Sequence, residues 1–160
     1  MAVKWAEDQE IVWPTKKNPV QGMKFSTEEF VEAVIKDVAD KHKIDPERVF
    51  TLTWSSSGPA AYAVSLSSDK ITGSSVAMSV FKPELLPQLE KAKGHAYFLY
   101  HSPADRVCPF QMAEKDLKKN GAVVKLTTYQ GGHGWRGNLY GNIREGVAWL
   151  EQNHATRARP

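Results

Sequence analysis

Three serines stand in a row, Ser55, Ser56 and Ser57, inside VFTLTWSSSGPAAYAVSL; Asp105 lies in HSPADRVCPF and His133 in YQGGHGW. A serine hydroxyl does little chemistry at neutral pH unless a base takes its proton, and the base works only when a third group orients it. An imidazole and a carboxylate fill those two roles, and the three together perform acyl transfer. Each stretch also has an ordinary explanation. A serine run is a turn, an aspartate before Arg-Val caps one, and a glycine-flanked histidine sits in a surface loop. Position in the fold decides between these readings.

Ser26 opens a helix, because STEE sets a capping box with Glu29 at its third position. Phe30, Val34 and Val38, joined by Val31 and Ile35, give this helix one apolar face. It ends at KIDPE, where Asp45 precedes a proline. RVFTLT then reads as a strand, GPAAYAVSL as a helix of small residues and ITGSSVAMSV as a second strand. KPELLPQLEKAKG is a short helix or ordered loop, HAYFLYHS a strand, and PFQMAEKDLKKNGA a helix with Gly121 as its C-cap. VVKLTTYQ is the last strand, and NIREGVAWLEQN a closing helix with Ile143, Val147 and Leu150 on one side. Strands alternating with helices predict an α/β fold, a mostly parallel sheet flanked by helices. Residues 1–24 form an N-terminal arm, 25–153 the core and 154–160 a flexible tail.

In an open parallel sheet, ligands bind beyond the carboxyl ends of the strands. Trp54 to Ser57 follow the first strand, Asp105 the third and His133 the fourth. A serine, an acid and a histidine thus reach one rim, in that chain order. Trp54, Phe81 and Trp135 are candidates for a substrate pocket or for plain core.

From about Trp5 to Leu150 the chain resembles α/β-hydrolases of the esterase type, close to dienelactone-hydrolase-like and polyhydroxybutyrate-depolymerase-like esterases. RVFTLTWSSSGPAAYA resembles their nucleophile elbow, HSPADRVCPF their acid loop and YQGGHGW their histidine loop. The resemblance implies a reduced α/β-hydrolase fold and a serine carboxylesterase acting on small short-acyl esters through an acyl-enzyme. Ser55 would be the nucleophile, His133 the general base and Asp105 its orienting acid, with the Ser56 N–H in the oxyanion hole. The elbow pattern G-x-S-x-G is degenerate here. Around Ser55 its glycines are replaced by Thr53 and Ser57; around Ser56 they would be Trp54 and Gly58. Small flanks favour Ser55 and leave Ser56 as the alternative. The family's strand and loop carrying a second oxyanion donor have no counterpart before the elbow, and MAVKW stands as a remnant of what precedes it. The contrasting reading is therefore a non-catalytic hydrolase-like remnant that binds a ligand or partner.

Composition narrows the alternatives. The 21 basic and 18 acidic residues of the 160 are scattered, so no basic stripe points to nucleic acid or membrane. Cys108 is the sole cysteine, which rules out an intrachain disulfide framework. Neither a cofactor nor a metal site is expected, because His42, His95, His101 and His154 lack ligand spacing. With no leader-like start and no long apolar run, a cytoplasmic location is expected. The VFTLT strand is expected at an exposed sheet edge, where an apolar strand invites a homo-oligomer or cover by the N-terminal arm.

Overall fold

The computed structural model describes residues 13–108 and 111–154. Its elements run α1 (Thr27–Lys41), β1 (Phe50–Trp54), a 3₁₀ turn (Ser55–Ser57), α2 (Gly58–Ser67), β2 (Gly73–Ala77), two 3₁₀ turns (Pro83–Leu85 and Leu89–Ala92), β3 (Ala96–His101), α3 (Gln111–Lys119), β4 (Val123–Thr128) and α4 (Leu139–Asn153). The four strands form one sheet in the order β1-β2-β3-β4, and every pairing is parallel. All four strand ends that carry loops toward a site therefore point the same way.

Every residue of the central strands β2 and β3 is buried, as their near-continuous apolar runs require. Alternation along β3 divides the core. Tyr97 and Leu99 pack with Tyr62, Leu66 and Leu117 on the α2–α3 side. Phe98 and Tyr100 pack with Leu150, Trp135 and Trp149 on the α4 side. The α1 capping box forms as expected: the Glu29 N–H donates to Ser26 Oγ and the Ser26 N–H to the Glu29 carboxylate. Pro14 and Lys16 are tied to the same helix start, through Thr27 and the buried carboxylate of Glu28. The expected remnant strand in residues 1–5 lies outside the described residues, and so does the tail from 155 onward. His154 belongs to the body instead, its ring edge-on to Phe50.

KPELLPQLEKAKG, read as a short helix or ordered loop, is an ordered segment with two 3₁₀ turns. Two details differ from the sequence reading. The last helix begins earlier, at Leu139, because the Asn138 side chain accepts from the Gly141 N–H and caps it. The apolar face of α1 is largely open, with Val34 44% and Val38 39% exposed. The cause is topological. Among the described residues β1 has β2 on one side and no strand on the other, so α1 leans on α2 with no strand beneath its outer face. On β1 itself, Leu52 and Trp54 are 52% and 45% exposed. No helix among the described residues is long and apolar enough to cross a membrane.

The open face has a measurable consequence. Leu117→Ala, which empties a fully buried site, should cost about 2–5 kcal/mol in denaturant melts. Val34→Ala should stay within about 0.5 kcal/mol. A core-sized loss at Val34 would show that something covers α1 in solution.

Candidate active site

Ser55 follows the last residue of β1 and sits at φ 54°, in the left-handed region. A non-glycine residue there costs about 1–3 kcal/mol and persists only when its surroundings hold it. The turn is closed by the third serine. Ser57 Oγ accepts from the Trp54 N–H at 3.0 Å and donates to the Trp54 carbonyl at 2.8 Å. Close approach of the following helix is secured one position later than the elbow pattern places its glycine. A Cβ on Gly58 would lie 2.3 Å from Ser79 Cβ and 3.0 Å from Val76 Cγ1, so no side chain fits where α2 crosses the end of β2.

Asp105 sits in a tight turn after β3. The Ser102 side chain accepts from the Ala104 N–H, and the Asp105 N–H donates to the Ser102 carbonyl. One Asp105 oxygen, Oδ1, accepts from the Val107 N–H at 2.8 Å and the Cys108 N–H at 3.0 Å. Oδ2 accepts from His133 Nδ1 at 2.8 Å. Because Nδ1 carries that proton, Nε2 is free to accept, and Ser55 Oγ donates to it at 2.9 Å. The structure therefore brings Ser55, His133 and Asp105 into one hydrogen-bonded chain. Ser56 is exposed and has no such contact with His133. As a member of the first turn, its N–H belongs to the set without a partner inside the helix.

The histidine loop is held from several directions. Gly131 and Gly134 flank His133 at φ 131° and 118°, values that side chains rarely tolerate. Ser102 Oγ donates to the Gly131 carbonyl, which ties the acid loop to the histidine loop. Tyr129 donates to the Gly132 carbonyl at 2.9 Å and stacks on Tyr100, and Trp135 stacks on Tyr100 as well. Of the three aromatic residues proposed for a pocket, Trp54 alone has its ring over the site, stacked on His133 with centroids 6.1 Å apart. Trp135 packs against Tyr100 as described. Phe81 requires a correction: it is 8% exposed and packs edge-on against Tyr62 within the core, not on an open wall.

Burial by itself would raise the Asp105 carboxyl. The hydrogen bonds from His133, Cys108 and Val107 outweigh it and hold the group below the ordinary carboxylate range. His101 is buried beside it, with Nε2 3.5 Å from Asp105 Oδ2 and donating to the Cys108 carbonyl. Burial pushes this imidazole below its ordinary value, despite the Cys108 carbonyl and the Asp105 charge. Burial, and then the Asp105 charge, push the Cys108 thiol up. Sequence reasoning did not single out Ser102, Tyr129 or His101 as supports. The S-x-A spacing of a serine turn was the one local signal available.

No family model matches the chain, and no curated protein matches it in sequence. Solved structures do. A single-substitution variant of Arabidopsis thaliana SOBER1 is similar over 88% of this chain and 70% of its own, at 20% identity and a TM-score of 0.62. A Bacillus cereus carboxylesterase is similar over 79% and 60%, at 14% identity and 0.57. Zea mays acyl-protein thioesterase 2 is similar over 84% and 69%, at 16% identity and 0.53. The chain thus spans 60% to 70% of the length of these structures. At such identities the likeness is one of fold, and the fold is a reduced α/β-hydrolase fold.

The shifts of Asp105 and His101 have the same sign. Each group's folded pKa is depressed, so each stabilises the fold above its unfolded pKa and loses that contribution as pH falls through its folded pKa. Urea midpoints should therefore decline once pH drops below about 6.5, the ordinary imidazole value, and decline again below the carboxylate range. His101→Gln should remove the upper part of that decline. An unchanged profile in the variant would show that His101 is not its source.

Proposed function

We propose that the protein is a serine hydrolase of small, short-acyl carboxylic esters that works through an acyl-enzyme. The observation that carries this reading is the unbroken contact from Ser55 through His133 to Asp105, with Ser55 held at positive φ as a nucleophile elbow requires. Ser55 Oγ attacks the ester carbonyl carbon while His133 Nε2 takes its proton. Asp105 keeps the other ring nitrogen protonated and stabilises the imidazolium. The Ser56 N–H faces the developing oxyanion. His133 then gives its proton to the departing alcohol, leaving an acyl-serine. A water molecule, deprotonated by the same nitrogen, releases the acid.

One feature tempers the expected rate. Among the described residues no strand precedes β1, and one oxyanion donor fewer typically costs ~10²–10³ in turnover. The groove of about 850 Å³ lies between α1, the segment that follows it and Asp69–Lys70, and that of about 500 Å³ between α1, the same segment, Phe50 and α4; neither is lined by Ser55, Asp105 or His133. The open α1 and β1 surfaces favour the second reading, a hydrolase-like remnant that binds without turnover.

Labelling separates the two. A fluorophosphonate probe should mark Ser55, and Ser55→Ala should abolish both labelling and p-nitrophenyl acetate hydrolysis, while Ser56→Ala keeps the label. Labelling that survives in Ser55→Ala moves the nucleophile elsewhere; an unlabelled wild-type chain favours the remnant. Cover of the β1 edge by a second copy is tested separately. FTLTW bears no charge to repel a pairing strand. Sedimentation equilibrium should give a dimer that Leu52→Lys converts to monomer, and a wild-type monomer removes this contact.

A further inference from the structure

Three donor atoms of different kinds meet beside the imidazole. A carboxylate oxygen of Asp105, the sulfur of Cys108 and a ring nitrogen of His133 all lie within 4.8 Å of one another. Asp105 and Cys108 are buried, and the His133 side chain, 23% exposed, is the open side of the group. Nothing in ester hydrolysis uses the thiol. Sulfur, imidazole nitrogen and carboxylate oxygen together are the donor set of zinc-class cations, whereas magnesium and calcium take oxygen ligands.

The geometry is close to what such an ion needs. Ligands ~2.0–2.3 Å from a tetrahedral centre stand ~3.3–3.8 Å apart. The Asp105–His133 contact of 2.8 Å would open by about half an ångström, and the widest pair would close by about 1.3 Å at most. Val107 and Cys108 N–H groups fix the other Asp105 oxygen, and His101 donates to the Cys108 carbonyl, steadying the backbone that carries the sulfur.

We propose that Asp105, Cys108 and His133 form a reversible site for one zinc-class cation, whose occupancy switches hydrolysis off. The thiol and His133 Nδ1 each release a proton to solvent, and the ion takes the position of the Nδ1 proton between His133 and Asp105. No oxidation state changes. A water molecule completes the coordination. An imidazole bound to a dication through one nitrogen is a poor base at the other, so Ser55 loses its proton acceptor. The switching half rests on the hydrolase reading; the binding half does not.

Cadmium reports binding without any activity, through its thiolate charge-transfer band. One equivalent should saturate the band in the wild-type chain and equally in Ser55→Ala, and added zinc should displace it. Asp105→Asn and His133→Gln, each checked for folding by circular dichroism, should weaken cadmium binding at least tenfold. No band at stoichiometric cadmium overturns the site. So does equal affinity in both variants, which would mean that the thiol binds alone. In esterase assays zinc should inhibit in step with occupancy, a chelator should restore the rate, and Cys108→Ser should need at least tenfold more zinc for half inhibition. Inhibition that is unchanged in Cys108→Ser overturns the switching. Should the chain show no esterase activity, the cadmium series still decides the site, and the fluorophosphonate label decides the hydrolase reading.

Discussion

The His133 imidazole can accept from Ser55 only while its other nitrogen keeps a proton, and that proton needs an acceptor that does not move. The hydrogen bond from His133 Nδ1 to Asp105 is therefore the contact on which the rim depends. The acid loop is built to keep the carboxylate ionised and still. Two backbone N–H groups hold its far oxygen, and the His133 bond together with those two outweighs the burial that would otherwise neutralise it. The loop is in turn fastened to the histidine loop by one buried hydroxyl, that of Ser102, on the Gly131 carbonyl. Parallel β3 and β4 deliver the two loops side by side, since His101 pairs with Thr128 at the strand ends.

The serine triplet divides its labour along the turn. Ser55 bears the strained dihedral and the hydroxyl bonded to His133. Ser56 contributes a backbone N–H at the head of the turn. Ser57 closes the turn on Trp54 by two hydrogen bonds from one side chain. Ser57 thus supplies locally what a glycine pattern alone would not, a side chain that stabilises the strained residue two positions earlier. The steric need for a glycine remains, and Gly58 meets it against Ser79.

How much of this was legible in the sequence follows from the range of each interaction. The α/β layering came from the alternation of apolar runs with small-residue and amphipathic stretches, which is local and periodic. The meeting of residues 55, 105 and 133 followed from one rule, that parallel strands present their ends on one rim. What escaped was set by contacts across the fold or by single side chains. The Asn138 cap moved the start of α4 without any apolar signal. Phe81 looked like a pocket residue because its burial depends on Tyr62 and the α2 layer. The apolar face of α1 had the pattern of a buried helix, and only the topology, with β1 at the edge, shows why Val34 and Val38 stay open. His101 carried no spacing signal, because its partner Cys108 contributes a carbonyl rather than a side chain.

That edge sets the character of the site. Ser55 follows β1, which has one neighbour strand among the described residues, so the strained turn depends on β2, Gly58 and the loops after β3 and β4. A strand paired on both sides transmits strain into a stiff sheet; a strand paired on one side can relax it by twisting outward. Here relaxation is opposed by the Thr51 and Thr53 hydroxyls, which bond across to Ser74 and Ser75, and by Trp54 stacked on His133. Trp54 therefore joins the edge strand to the His133 imidazole. An occupant that covers Leu52 and Trp54 would stiffen the turn and the imidazole together. The state of the β1 edge and the hold on the Ser55 turn are, in this fold, two readings of one mechanical constraint.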